Sequence, residues 1–153
     1  MTLRQASLHD IEQLVALMTE FYAESGYPLG ARRATAAFRE LLGDERLGRA
    51  WLIEAGGAIA GYLVVTLGYS MEYGGLDAFI DDLFVRPAFR NTGLGTLAVE
   101  AARGYCLTRG VRAIHLEAEQ GNVVAQRIYR SAGFESTERQ LLTLRLAAPT
   151  HED

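Results

Sequence analysis

Apolar positions recur along the chain in two rhythms, and the changes of rhythm divide it into elements. Behind a short strand-like start, Thr2 to Ala6, the run Ser7-Leu8-His9-Asp10 reads as a helix start with a capping box. Ile11, Leu14, Val15, Met18, Phe21 and Tyr22 then recur at helical spacing to about Ser25. Gly26 to Gly30 interrupts, and Ala34, Ala37, Phe38, Leu41 and Leu42 mark one face of a second helix ending near Gly43. Three strand-like runs follow: Arg49 to Ala55, Ile59 to Tyr69, and Ala78 to Val85. The turn pairs Gly56-Gly57 and Gly74-Gly75 separate them and Arg86-Pro87 closes the last, so consecutive antiparallel strands are the simplest arrangement.

From Gly93 the helical period returns, with Leu94, Leu97, Ala98, Ala101, Ala102 and Tyr105 on one face as far as Gly110. Ala113 to Glu119 alternates like a strand, with Ile114, Leu116 and Ala118 on one side. Asn122 can cap a helix whose inner face carries Ala125, Ile128, Tyr129 and Ala132, and Gly133 can end it. Phe134 to Leu146 is expected to supply one or two closing strands, and Ala147 to Asp153 a frayed tail. No repeat or linker divides the chain. The expectation is one α/β (α+β) domain over residues 1–153, a mixed, mostly antiparallel sheet flanked by about four helices.

Composition narrows the chemistry. With 153 residues, 49% hydrophobic and 22% charged, the chain is the size of one domain with its own core. A net charge of -4 argues against nucleic acid as a partner. All 15 basic residues are arginine. The absence of lysine excludes a phosphate-loop lysine and a Schiff-base lysine, and leaves anion recognition to arginine and main-chain N–H groups. The lone Cys106 and the scattered His9, His115 and His151 have no metal-ligand spacing, so no metal is expected. No apolar run approaches membrane length and the N-terminus has no leader pattern, so a cytoplasmic protein with no membrane partner is expected.

One turn carries more specific information. Arg90-Asn91-Thr92-Gly93-Leu94-Gly95 lies between a strand and a helix, where free N–H groups and the helix dipole favour an anion. Gly93 to Ala98 also fits the dinucleotide pattern G-x-G-x-x-A, with Glu117 or Glu119 as a ribose acid. Spacing argues against that reading, because Arg86 to Thr92 separates Val85 from the first glycine and too little chain follows for a doubly wound sheet.

The segment Ile80-Asp81-Asp82-Leu83-Phe84-Val85-Arg86-Pro87, the R-x-x-G-x-G turn at Arg90 to Gly95, and Asn122-x-x-Ala125-x-x-x-Tyr129-x-x-x-Gly133-Phe134 occur in that order. Together they resemble the GCN5-related N-acetyltransferases (GNAT), over nearly the whole chain. The resemblance implies that acetyl-CoA is the cosubstrate, bound where two neighbouring strands splay apart. Arg90, Asn91, Thr92, Gly93, Leu94, Gly95 and Thr96 would hold its pyrophosphate. Leu83, Phe84 and Val85 would align its acetyl and pantetheine arm, and Asn122 would bond a pantetheine amide or serve only as a helix cap.

Acetyl transfer requires that an ammonium lose a proton, that an oxyanion be stabilised and that the leaving thiolate be protonated. By resemblance Asp81 or Asp82 serves the first step, with Asp81 favoured. A main-chain N–H near Leu83 or Phe84 serves the second, and Tyr129 the third. Glu20, Glu24, Glu72, Asp77 and Asp81 come from segments lining the acceptor side in the family, which implies a small cationic amine. A protein or peptide amine is the enzymatic alternative, and a non-catalytic acyl-CoA-binding or sensing module the alternative of another class. Similar proteins are often dimers, so a homodimer stays open.

Overall fold

The computed structural model describes residues 1–147. The remainder of the expected frayed tail lies outside the described residues. In chain order the elements are β1 (Thr2–Gln5), α1 (Ile11–Ser25), α2 (Ala31–Gly43), β2 (Gly48–Ala55), β3 (Ala58–Ser70), β4 (Gly75–Val85), α3 (Leu94–Thr108), β5 (Ala113–His115) and α4 (Val123–Ser131). Short 3-10 turns lie at Leu8–Asp10 and Pro87–Phe89. The capping box is present: the Ser7 hydroxyl accepts from the His9 N–H, and the Asp10 carboxylate accepts from the Ser7 N–H at 2.8 Å.

The strands form one sheet in the order β1-β2-β3-β4-β5, antiparallel throughout except for the parallel pair β4–β5. Each face buries its own core. On one face Leu14 and Leu17 of α1 and Phe38 of α2 pack with Leu52, Tyr62, Val64 and Phe84 of the sheet. On the other, Leu94, Ala98, Val99, Ala102, Tyr105 and Cys106 of α3 pack with Trp51, Ile53, Leu63, Val65, Ala78 and Ile80. α4 joins this second layer through Ile128, Tyr129 and Ala132, each partly buried.

A β-bulge decides which core β4 serves. Val64 pairs with Asp82 and Val65 with Ile80, so Asp81 is an extra residue opposite no partner. Side chains in a regular strand alternate, which would put positions 78, 80, 82 and 84 on a single face. With the extra residue, Ala78 and Ile80 pack towards α3 while Phe84 packs towards α1. The β3–β4 contact is close at Gly61, where a Cβ would lie 1.9 Å from the Phe84 carbonyl oxygen, so only glycine permits this approach.

The end of the chain departs from the sequence reading. Strand structure is confined to Ala113–His115 rather than reaching Glu119, and no strand forms between Phe134 and Leu146. A strand is defined by its ladder partner as much as by alternation. Among the described residues, none from 135 to 147 makes a main-chain to main-chain hydrogen bond. Leu141, Leu142, Leu144 and Leu146 are consequently exposed.

Candidate active site

The site begins where β4 loses its neighbour. β4 pairs with β5 only through Asp77, Ala78 and Phe79, whereas against β3 it is paired over nearly its whole length. From Ile80 to Val85 one side of β4 is therefore open among the described residues. The orientation of the main chain follows from two bonds. The Val85 carbonyl accepts from Arg90 Nε at 2.8 Å on the open side, and the next N–H, that of Arg86, donates to the Ala60 carbonyl in β3 at 2.7 Å. By strand alternation Leu83 and Val85 turn their main-chain groups to the open side and Phe84 turns its own to β3. Phe84 contributes its ring instead, buried and stacked on Phe21 of α1 at 5.3 Å between centroids.

The chain leaves β4 through the 3-10 turn at Pro87–Phe89, and the Thr92 hydroxyl donates to the Phe89 carbonyl at 2.6 Å. Gly93 has φ +85°, a left-handed conformation that favours glycine, and immediately precedes α3. Leu94 anchors the helix start in the core, whereas Arg90, Asn91, Thr92 and Gly93 are exposed. Among the described residues, no group accepts a hydrogen bond from the N–H groups of Asn91 to Thr96. Consecutive free donors at a helix N-terminus form a cradle for an anion. This donor set fits a pyrophosphate without help from any lysine.

The Arg90 side chain does other work. Its Nη2 lies 2.8 Å from both carboxylate oxygens of Glu24, while its Nε holds the Val85 carbonyl. One helical turn away, Glu20 receives Arg86 Nη2 at 2.8 Å, and Arg86 Nη1 also donates to the Ile59 carbonyl at 2.9 Å. Two arginines thus brace the turn against α1. Glu20 and Glu24 are engaged as structural partners, as is Glu72 with Arg139 at 2.7 Å, and Asp77 lies 3.2 Å from His115 Nε2. Of the carboxylates expected to attract a cation, Asp81 alone has no hydrogen bond or ion pair among the described residues.

The two aspartates at the bulge have opposite settings. Asp82 is 7% exposed and accepts from the Tyr62 hydroxyl at 2.8 Å and the Tyr22 hydroxyl at 3.4 Å. Burial pushes its pKa up to about 7, against the opposing pull of the two phenol hydrogen bonds. Asp81 is exposed, and partial desolvation raises its pKa from the usual aspartate range. Tyr22 and Tyr62 were not singled out from the sequence. Both sit on apolar stretches where a tyrosine reads as packing, and only the fold shows their hydroxyls converging on one carboxylate.

Tyr129 lies on the inner face of α4, partly buried, edge-to-face with Phe134 at 6.0 Å. Burial raises its pKa further above 10, so its phenol is protonated at neutral pH. Asn122 caps α4, its side-chain oxygen accepting from the Ala125 N–H at 3.1 Å. Gly95 leaves room for the next layer, because a Cβ there would lie 3.1 Å from Ile128 Cδ1. Cys106 is buried and its thiol is pushed up to about 11, as suits a packing residue.

A family model described as "Acetyltransferase (GNAT) family" matches residues 11–134. The chain belongs to that family. A solved integron cassette protein from the mobile metagenome of a salt marsh is 46% identical, with a TM-score of 0.87 over 96% of this chain and 91% of that one. The aminoglycoside N-acetyltransferase AAC(6')-Iy, solved with CoA, has the same fold at 21% identity, with a TM-score of 0.79 over 95% of both chains. A curated relative, aminoglycoside N(6')-acetyltransferase type 1 of Salmonella typhimurium, is 30% identical over 61 residues. That match covers 40% of this chain and spans 42% of the relative's length. Among the described residues, no helix of this GNAT protein is long and apolar enough to cross a membrane.

Proposed function

We propose that this GNAT protein transfers the acetyl group of acetyl-CoA to a primary amine of a small cationic molecule. The observation that carries the reading is the unfilled run of N–H donors from Asn91 to Thr96 at the mouth of the open β4 edge. Family membership supports it, and so do solved family structures that contain CoA or acetyl-CoA.

When bound, acetyl-CoA supplies an acetyl group activated as a thioester. The Asn91 to Thr96 main chain holds the pyrophosphate, and the Leu83 and Val85 main chain aligns the pantetheine arm in the gap. The open-side N–H of Leu83 or Val85 is the donor for the developing oxyanion, a role suited to a preorganised backbone group. Asp81, exposed and without a partner among the described residues, accepts a proton from the ammonium directly or through water. Asp82, fixed by two phenols, holds the bulge that presents its neighbour. Tyr129 protonates the thiolate as it leaves. Attack is direct, with no acetylated side chain on the enzyme.

A small cationic acceptor is favoured by the aminoglycoside-acetylating relative and by the free Asp81 carboxylate. Thiol release from acetyl-CoA, measured with aminoglycosides, polyamines, lysine-containing peptides and no acceptor, tests the reading. Release with the small cationic amines alone is expected. Release with peptides alone would move the acceptor to protein amines, and tight CoA binding without release would make the chain a binding module.

A further inference from the structure

Asp82 is a buried carboxyl without a cation. It is 7% exposed, and its side-chain contacts are two neutral phenols, Tyr62 of β3 at 2.8 Å and Tyr22 of α1 at 3.4 Å. Along its own strand the group that acts on it is another carboxylate, Asp81, and the rings of Phe21 and Phe84 flank Tyr62 on the same side of the sheet. Among the described residues no arginine pairs with Asp82; Arg86 and Arg90, the next basic residues along the chain, are taken by Glu20 and Glu24. Two neighbouring carboxyls of which one is removed from water, with no cation to compensate, keep one proton between them.

Access decides which of the two holds it. Asp81 is exposed and Asp82 is buried, so the charge belongs on Asp81 and the proton on Asp82. The direction of the Asp82 shift agrees: burial pushes it up to about 7 and the Asp81 charge adds to the rise, while the phenol hydrogen bonds oppose it. Of the two phenols, Tyr62 is fully buried and Tyr22 is partly exposed, so Tyr22 is the hydroxyl through which the Asp82 proton exchanges with solvent. A hydroxyl suits that task because it accepts a proton and donates another.

We propose that Asp82 holds a proton in the acceptor-free protein and releases it through Tyr22 when an ammonium binds at Asp81, so that acceptor binding and proton release are one coupled step. The coupling rests on the acceptor site proposed above. It follows from charge: an ammonium beside Asp81 offsets the negative neighbour that keeps Asp82 protonated, and itself favours a second carboxylate. The protons balance. As the N–C bond forms and the C–S bond breaks, the bound ammonium gives one proton to the carboxyl pair and one, by way of Tyr129, to the CoA thiolate. The pair is then back at one proton, and the single proton that acetylation of an ammonium yields overall has already left at binding.

Titrating the CoA-bound protein with spermidine and, separately, with an aminoglycoside tests the coupling. On binding, the infrared difference spectrum should lose one protonated-carboxyl C=O band. The amine Kd should fall about fivefold or more between about pH 6 and about pH 8, a range in which the amine stays cationic and Asp82 does not stay protonated. Asp82→Asn should bind the amine without band loss and with a Kd that changes less than about twofold over the same range. In the ligand-free protein, raising the pH through about 7 should remove the band from Asp81→Asn as well as from wild type, which assigns it to Asp82 even if Asp82→Asn does not fold. Amine binding that leaves the band in place, an affinity that does not change with pH, or a pH dependence that survives in Asp82→Asn overturns the coupling, and thiol release in the same samples leaves the transfer reading standing. Absence of binding by both amines overturns the coupling together with the small cationic acceptor.

Discussion

The two long edges of β4 face opposite circumstances. Towards β3 the strand is closely paired, with Gly61 admitting the Phe84 carbonyl to a distance that no side chain tolerates and Asp82 held by Tyr62 and Tyr22. Towards β5 the pairing ends after Phe79, and the Leu83 main chain and the Val85 N–H stay open beside a turn of unfilled N–H donors, while the Val85 carbonyl is held by Arg90. One edge is a wall and the other a slot. The difference shows how a sheet can offer its own main chain to a ligand: one side is over-determined so that the other can remain unpaired without collapsing.

Loosening the wall should have the largest effect. Gly61→Val pushes a side chain into the Phe84 carbonyl and is expected to cost about 4 kcal/mol or more of stability, or to prevent folding, as read by urea denaturation. Wild-type stability would show that the edge is not tight.

The next test probes the buried carboxylate behind the bulge. The Asp82 pKa is raised to about 7 from 3.8, so the folded state binds its proton more tightly than the unfolded chain does. Its contribution is complete below about pH 4 and is lost as pH rises through about 7, on the order of 4 kcal/mol. Asp82→Asn should flatten that part of the stability profile, and an unchanged profile would place the titration elsewhere.

On the slot side, Tyr129→Phe should lower kcat about 100-fold, about 2.7 kcal/mol, while leaving the Kd for CoA within about twofold. Unchanged turnover would remove Tyr129 from the chemistry. The smallest effect belongs to the brace between the two regions. In a double-mutant cycle the half-exposed Arg90–Glu24 pair should contribute less than about 1 kcal/mol to stability. Arg90→Ala should leave CoA affinity within about threefold, because the guanidinium is occupied by Glu24 and Val85. A tenfold or larger loss would mean that it reaches the pyrophosphate after all.

Elements whose signals are local were legible in the sequence. The Ser7 capping box, the Gly56-Gly57 turn and the Asn122 cap all form where their residue types direct. The glycine turn was legible too, because a strand followed by Gly-x-Gly and a helix fixes where N–H groups are left over. Features set by a distant partner were not. Nothing near Asp81 announces a bulge, since the extra residue is defined by its register against Val64 and Val65. Glu20 and Glu24 read as charges available to a substrate until the fold brings Arg86 and Arg90 to them. Phe134 to Leu146 has a strand's composition but finds no ladder partner among the described residues, and composition alone does not supply one.

The bulge has a consequence for how this chain tolerates change. The codon for Asp81 carries two kinds of information: the identity of a carboxylate, and the extra residue that interrupts the ladder between Val64 and Val65. A missense change there removes the proposed base and leaves both cores intact. Loss of the codon in frame brings Ile80 next to Asp82, opposite Val65 and Val64 as before, so plain alternation keeps both side chains on their own faces and only the bulge disappears. Substitutions and in-frame deletions at this one position should therefore converge on one phenotype, a folded protein without its proposed base.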